Sequence, residues 1–87
     1  MKDYIICYDI RNVKRLSKLS RNLEKHAMRI QKSVFLLSSV KKNELFDIID
    51  LINSIIDEEM DDVRIYSMID PGFALAKAIN LREPYIF

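Results

Sequence analysis

The sequence predicts a single α+β domain of the ferredoxin-like kind, βαββαβ with an additional C-terminal strand. Three observations predict it. The run "YIICY", residues 4–8, is apolar or aromatic throughout, as in a central strand covered on both faces. Two later segments carry apolar residues at steps of three and four, the mark of amphipathic helices. Each helical segment is followed by a stretch rich in β-branched and aromatic residues, so the order reads β-α-β(β)-α-β. At 87 residues the chain has room for one core and no second module, so 1–87 is one domain.

The first strand is "DYIICYD", ended by the single acid Asp9. In "NVKRLSKLSRNLEKHA", Val13, Leu16, Leu19, Leu23 and Ala27 form one helical stripe, and Asn12 has the residue type that caps a helix start. Lys14, Arg15, Lys18, Arg21 and Lys25 fall off that stripe and face solvent. "MRIQKSVFLLSSV" follows, with Ile30, Val34 and Leu36 alternating against Gln31, Ser33 and Phe35. It is long for one strand and has no Gly or Pro turn, so pattern leaves a single strand and a hairpin both open. The second helix is the clearest element: in "NELFDIIDLINSIIDEE", Leu45, Ile48, Ile49, Ile52, Ile55 and Ile56 repeat at helical spacing. An acidic stretch, "DEEMDD", separates it from the strand "VRIYSMI", and "DPG" is a turn signal. The tail "FALAKAINLREPYIF" is ambiguous in its middle and ends on a strand-like "YIF". Tyr66, Met68, Phe35 and that "YIF" exceed what one helical layer hides, so the opposite face of the sheet is expected to be covered by dimerisation.

Composition excludes several classes. One Gly rules out the Gly-rich loops that cradle nucleotides. The one cysteine, Cys7, allows no internal disulfide and sits in the apolar run as a small core residue, with no histidine near it to activate a thiol. No stretch approaches a membrane span and "MKDY" does not read as a signal peptide, so a cytoplasmic protein is expected. The formal net charge of +1 hides a segregation. Residues 11–32 carry eight basic side chains against one acid, Glu24, whereas residues 43–62 carry eight acids and no base. One region attracts phosphates and the other repels them.

Asp9 admits two readings. As a structural group it accepts backbone N–H groups and helps begin the helix. As a metal ligand it is one carboxylate, thin alone, but Mg²⁺ keeps several waters and two such carboxylates meeting across a dimer axis make a site. The basic face of the first helix lacks balancing acids and lacks interleaved aromatics, which fits salt-sensitive, sequence-tolerant binding of a duplex rather than stacking on a single strand. His26 reads as a partner of the helix dipole, and Glu44, Asp47 and Asp50 as a solvated or docking face.

"YDI" closing the first strand, "KR" in the first turn of the basic helix, "RIQKSVF" and "DDVRIY" together resemble the small CRISPR-associated Cas2 family over most of residues 3–68. The resemblance implies a ferredoxin-like homodimer whose residues 70–87 form a tail exchanged between protomers, its last strand packing on the partner's sheet. It implies a role in spacer acquisition: binding duplex DNA, the spacer precursor, and bridging integrase subunits. It also implies Mg²⁺-dependent endonuclease activity, on single-stranded RNA or double-stranded DNA, described for some members. Asp9 of each protomer takes the catalytic and metal-ligand position, with Mg²⁺ between the two protomers. Arg11, Lys14, Arg15, Lys18, Arg29 and Gln31 take nucleic-acid-binding positions, and Tyr8, Ser33 and Phe35 lie near the site.

Three departures from the family's pattern stand out: Arg11-Asn12 where an acid often follows "YDI", His26-Ala27 in place of the usual Gly, and Leu36 where an acid often follows "SVF". Two of them remove carboxylates near the metal position. Two functions therefore stand side by side, a DNA-holding adaptor that tolerates loss of Asp9 and a metal-dependent phosphodiesterase that requires it. A third is a stand-alone toxin-like ribonuclease of the virulence-associated protein D type.

Overall fold

A computed structural model describes residues 1–68; the expected C-terminal strand and the tail 70–87 lie outside the described residues. The described order is β1 (Lys2–Asp9), α1 (Val13–Leu23), β2 (Met28–Gln31), β3 (Val34–Val40), α2 (Lys42–Ile55) and β4 (Asp62–Met68). The four strands form one antiparallel sheet in the order β2-β3-β1-β4, with β1 inside it as its unbroken apolar run requires. This is the βαββαβ arrangement expected from the sequence, with both helices on one face of the sheet.

Alternation along the strands divides the apolar residues between the two faces. Toward the helices point Ile6, Tyr8, Phe35 and Leu37, packed against Leu19 and Leu23 of α1 and Ile48, Ile52 and Ile55 of α2. Ile6, Leu19, Leu23 and Phe35 are completely buried, each stabilising the fold by about 1.5–3 kcal/mol through removal from water. On the other face Ile5, Leu36 and Met68 form a second buried cluster, joined by half-buried Cys7, Ile30 and Val34. Burial pushes the Cys7 thiol above its ordinary value, which keeps it protonated and unreactive.

Phe35 belongs to the helical side, which corrects its expected place on the opposite face. The reason is register. Phe35 stands opposite Ile6 of β1, and paired residues on neighbouring strands share a face. The stretch that pattern leaves undecided is a hairpin, turning through Lys32 and Ser33. Met28 pairs with Leu36 and Arg29 with Phe35, but Gln31 pairs with Val34, so Ile30 is an extra residue that bulges from β2. Neither turn residue has positive φ, so no Gly or Asn marks the hairpin in the sequence.

Both helices are shorter than their periodicity suggests. Asn12, extended in φ and ψ, caps α1 by accepting from the Arg15 N–H at 3.0 Å. Val13 then stands at the first helical position, beyond the edge of the core, and is 81% exposed rather than part of the buried stripe. The helix closes at Leu23 with the N–H groups of His26 and Ala27 both donating to the Leu23 carbonyl. No residue in that turn has positive φ, so His26-Ala27 replaces the family's Gly without strain. At the start of α2 the Glu44 carboxylate accepts the Lys41 N–H at 2.9 Å, and the helix ends where Ile56 turns extended.

Candidate functional site

The C-terminal end of β1 is where the chemistry-bearing residues gather. Asp9 is the last residue of the strand and its side chain is 70% exposed. Its nearest cation is Arg11, itself exposed, with Nη2 3.8 Å from Oδ2, a loose pair in water. Across the sheet, Asp9 is the register partner of Asp62, the first residue of β4. Paired residues on neighbouring antiparallel strands project from the same face about 5 Å apart at Cβ, so two carboxylates stand side by side within one chain. Like charges so placed repel, and each has drawn an arginine: Arg11 on Asp9, and Arg64, whose Nε donates to Asp62 Oδ2 at 3.2 Å. The Arg64 guanidinium is held charged by Tyr66 first and Asp62 second.

In the sequence Asp62 reads only as part of an acidic stretch. The signal that could have found it is register: "YD" ending one strand and "DDV" opening its antiparallel neighbour bring acids opposite each other. Donor chemistry fits a hard cation, since two exposed carboxylates with room for water are what Mg²⁺ accepts. Arg11 and Arg64 compete for those oxygens. Among the described residues no group of three or more His, Cys, Asp or Glu side chains comes together.

Asp61 differs from its neighbour. Its side chain is fully buried, and both oxygens are used twice. Oδ2 accepts from Arg15 Nε at 2.7 Å and from the Asp57 N–H at 2.9 Å. Oδ1 accepts from Arg15 Nη2 at 3.1 Å and from the Arg11 N–H at 2.9 Å. The Arg15 hydrogen bonds hold its carboxyl well below the usual carboxylate range against the opposing effect of burial, with the two backbone N–H groups adding to the shift. "DEEMDD" is therefore not a uniformly solvated patch, because its fifth residue ties the α2–β4 turn to the start of α1.

The other site candidates divide by direction. Tyr8 is 6% exposed and turns into the core, where its ring stacks on Phe35 with centroids 6.1 Å apart and its hydroxyl meets Ser20 Oγ at 2.8 Å. These two aromatics are core on the helical side of the sheet, whereas Asp9, the next residue along β1, falls on the opposite side by alternation. Ser33 contributes its carbonyl, which accepts the Tyr8 N–H at 3.2 Å, and pins the β2–β3 turn beside the end of β1. Gln31 is exposed at that turn. Arg29 lies with Cζ 5.2 Å above the Phe35 ring and donates to Glu24 Oε1 at 2.9 Å. Lys14 and Lys18 are exposed on α1 and, with Arg21 and Lys25, make a row at i, i+4, i+7 and i+11 on the side away from Leu16, Leu19 and Leu23.

The sequence profile of the CRISPR associated protein Cas2 family matches residues 1–74. The chain belongs to the Cas2 family. It is 43% identical over 80 residues, 92% of this chain and 73% of the relative, to the CRISPR-associated endoribonuclease Cas2 1 of Nitrosomonas europaea. Among solved structures it resembles Streptococcus pyogenes Cas2, with a TM-score of 0.70 at 29% identity, covering 85% of this chain and 93% of that one. A chain of a partial Cas6-RT-Cas1–Cas2 complex gives a TM-score of 0.72 at 34% identity, covering 80% and 76%. A hypothetical protein of Thermus thermophilus gives 0.75 at 29% identity, covering 79% and 83%. Within the Cas2 frame the departures acquire places. Leu36 lies in the apolar cluster with Ile5 and Met68, and Arg11 sits on Asp9 itself. No helix among the described residues is long and apolar enough to cross a membrane.

Proposed function

We propose that this chain is a cytoplasmic adaptation-stage Cas2 protein, a homodimer that holds duplex DNA by its phosphates and bridges integrase subunits. The observation that carries the reading is the exposed basic row Lys14, Lys18, Arg21 and Lys25, one-signed and unpaired by acids at i+4. It runs from the Asp9 end of the fold along α1 and into the turn that closes the helix. Backbone recognition of a duplex needs cations set along a rigid element, and no base-reading aromatics. Family membership and the likeness to the Cas2-containing complex support the bridging role. The test is fluorescence anisotropy of a labelled duplex across a salt series. Replacing Lys14, Lys18 and Arg21 together by Gln is expected to weaken binding and to flatten log K against log salt by about 0.9 for each phosphate no longer neutralised. Unchanged affinity and slope would remove this face from the function.

A second reading rests on its own observation, the exposed Asp9 with Asp62 opposite it. Here the protein is also an endonuclease in which Asp9, from both protomers, and Asp62 would hold Mg²⁺. When bound, the ion supplies polarisation of a phosphoryl oxygen and a water of lowered pKa. The chain's own residues do the rest: Lys14 and Lys18 bind and orient the phosphate backbone, and Arg11, released from Asp9, neutralises the scissile group. Cleavage of labelled RNA and duplex by wild type and by Asp9→Asn, with Mg²⁺ and with chelator, decides it once the variant is shown to keep its oligomeric state. Cleavage that needs metal and Asp9 supports the reading; no cleavage, or equal cleavage by both proteins, leaves the adaptor role alone.

A further inference from the structure

We infer that Asp61 is a positioning residue for the phosphate-binding face, and that Arg15 is the strut through which it acts rather than a ligand of phosphate. The inference rests on the duplex-binding reading and changes which cations belong to it. Arg15 lies in the basic run beside Lys14, and sequence alone makes the two equivalent. Their surroundings are not. Lys14 is exposed, while the Arg15 side chain is 27% exposed and gives two of its N–H groups to one fully buried carboxylate at 2.7 and 3.1 Å. A guanidinium so engaged is neutralised and fixed, and turning it toward a phosphate would strand a buried anion.

The same carboxylate accepts the Arg11 N–H and the Asp57 N–H, so one side chain joins three segments: the turn after Asp9, the first turn of α1 and the turn before β4. Asn12 caps α1 from within the first of these. The direction in which α1 leaves β1, and hence where Lys14 and Lys18 present their charges relative to Asp9, is set by this four-donor joint. Lysine cannot replace the strut, because an ammonium lacks the planar fork that reaches both oxygens.

That difference supplies the experiment. Arg15→Lys, Arg15→Gln, Asp61→Asn and the double variant Lys14→Gln/Lys18→Gln are compared with wild type for duplex affinity across a salt series. Folding of each is checked by circular dichroism. Arg15→Lys is expected to weaken binding severalfold, as much as Arg15→Gln does, both with the wild-type salt slope. Lys14→Gln/Lys18→Gln is expected to lower the slope by roughly 1.8, the value for two phosphates. If Arg15→Lys binds like wild type while Arg15→Gln lowers the slope by about 0.9, Arg15 is a phosphate ligand and the inference is overturned. Wild-type binding by all the Arg15 and Asp61 variants overturns it equally.

A spectroscopic readout separates this failure from failure of the duplex-binding reading. In ¹⁵N spectra of the free protein the Arg15 Nε–H is expected to be protected from exchange, and Asp61→Asn to abolish that protection and shift the Arg11 amide. A wild-type protein that binds no duplex but shows this pattern loses the proposed function and keeps the joint. Unchanged Arg15 and Arg11 signals in Asp61→Asn would sink the joint whatever binds. Should Asp61→Asn not fold, the Arg11 amide alone is read in Arg15→Lys, where loss of its protection supports the joint and wild-type protection refutes it.

Discussion

Asp9 and Asp61 are the same residue type at the same end of the sheet, and the structure puts them to opposite uses. Asp9 is 70% exposed with one arginine at 3.8 Å; Asp61 has no exposed side-chain surface and accepts four hydrogen bonds. A carboxylate with open lone pairs can take up a cation or reagent, whereas one whose lone pairs are filled can only hold its neighbours in place. What distinguishes a chemical group from a structural one here is therefore the satisfaction of its acceptors, not its identity. Arg11 and Arg15 repeat the lesson with the opposite charge, one exposed and loosely paired, the other forked onto a buried acid.

The variant expected to erase the contrast altogether is Phe35→Ala. Phe35 is fully buried, stacks on Tyr8 and lies beneath Arg29, so it anchors the helical-side core on which the end of β1 rests. Its truncation is expected to cost about 3–5 kcal/mol, measured by urea denaturation. Next in size is Asp61→Ala, which leaves Arg15 and two backbone N–H groups without their acceptor. Its melting temperature is expected to fall well below that of Asp9→Ala, and equal melting temperatures would contradict the contrast between the two acids. Asn12→Ala removes the cap on the Arg15 N–H and is expected to cost about 1 kcal/mol.

Acidification sharpens the comparison. The carboxyl of Asp61 is depressed by folding, so its contribution to stability is fully present above the unfolded value of about 3.9 and is lost as pH falls below that toward the folded value. Thermal melts from about pH 5 to about pH 3 are expected to fall more steeply for wild type than for Asp61→Asn. The smallest effect belongs to Asp9→Asn, expected to change stability by no more than about 0.5 kcal/mol because the side chain is exposed and weakly paired. If Asp9→Asn also abolishes metal-dependent cleavage, the division between the two aspartates is complete.

Much of the fold is legible in the sequence because periodicity reports burial directly. An unbroken apolar run at residues 4–8 can only be an inner strand, and isoleucines at three and four along α2 can only line one face. The motifs "YDI", "RIQKSVF" and "DDVRIY" are enough to place the chain in its family. Other features are not in the pattern. A Lys-Ser turn has no composition signal, and the register that sets Phe35 opposite Ile6 on the helical side exists only once strands are paired. Periodicity carries the helices past their true ends, because apolar residues such as Ala27 and Ile56 go on contributing to the core after the helix has closed.

Sequence by itself determined the inner strand, the two helices, the segregation of charge and the acid at the end of β1, since each depends on residues near one another in the chain. Tertiary structure alone decided which charges remain free. Arg15 meets Asp61 across a separation of 46 residues, and Asp9 meets Asp62 across a register that no local window contains. A charge's availability is set by desolvation and by partners brought from elsewhere, and those exist only once the sheet has formed and the turns at its end have closed on one another.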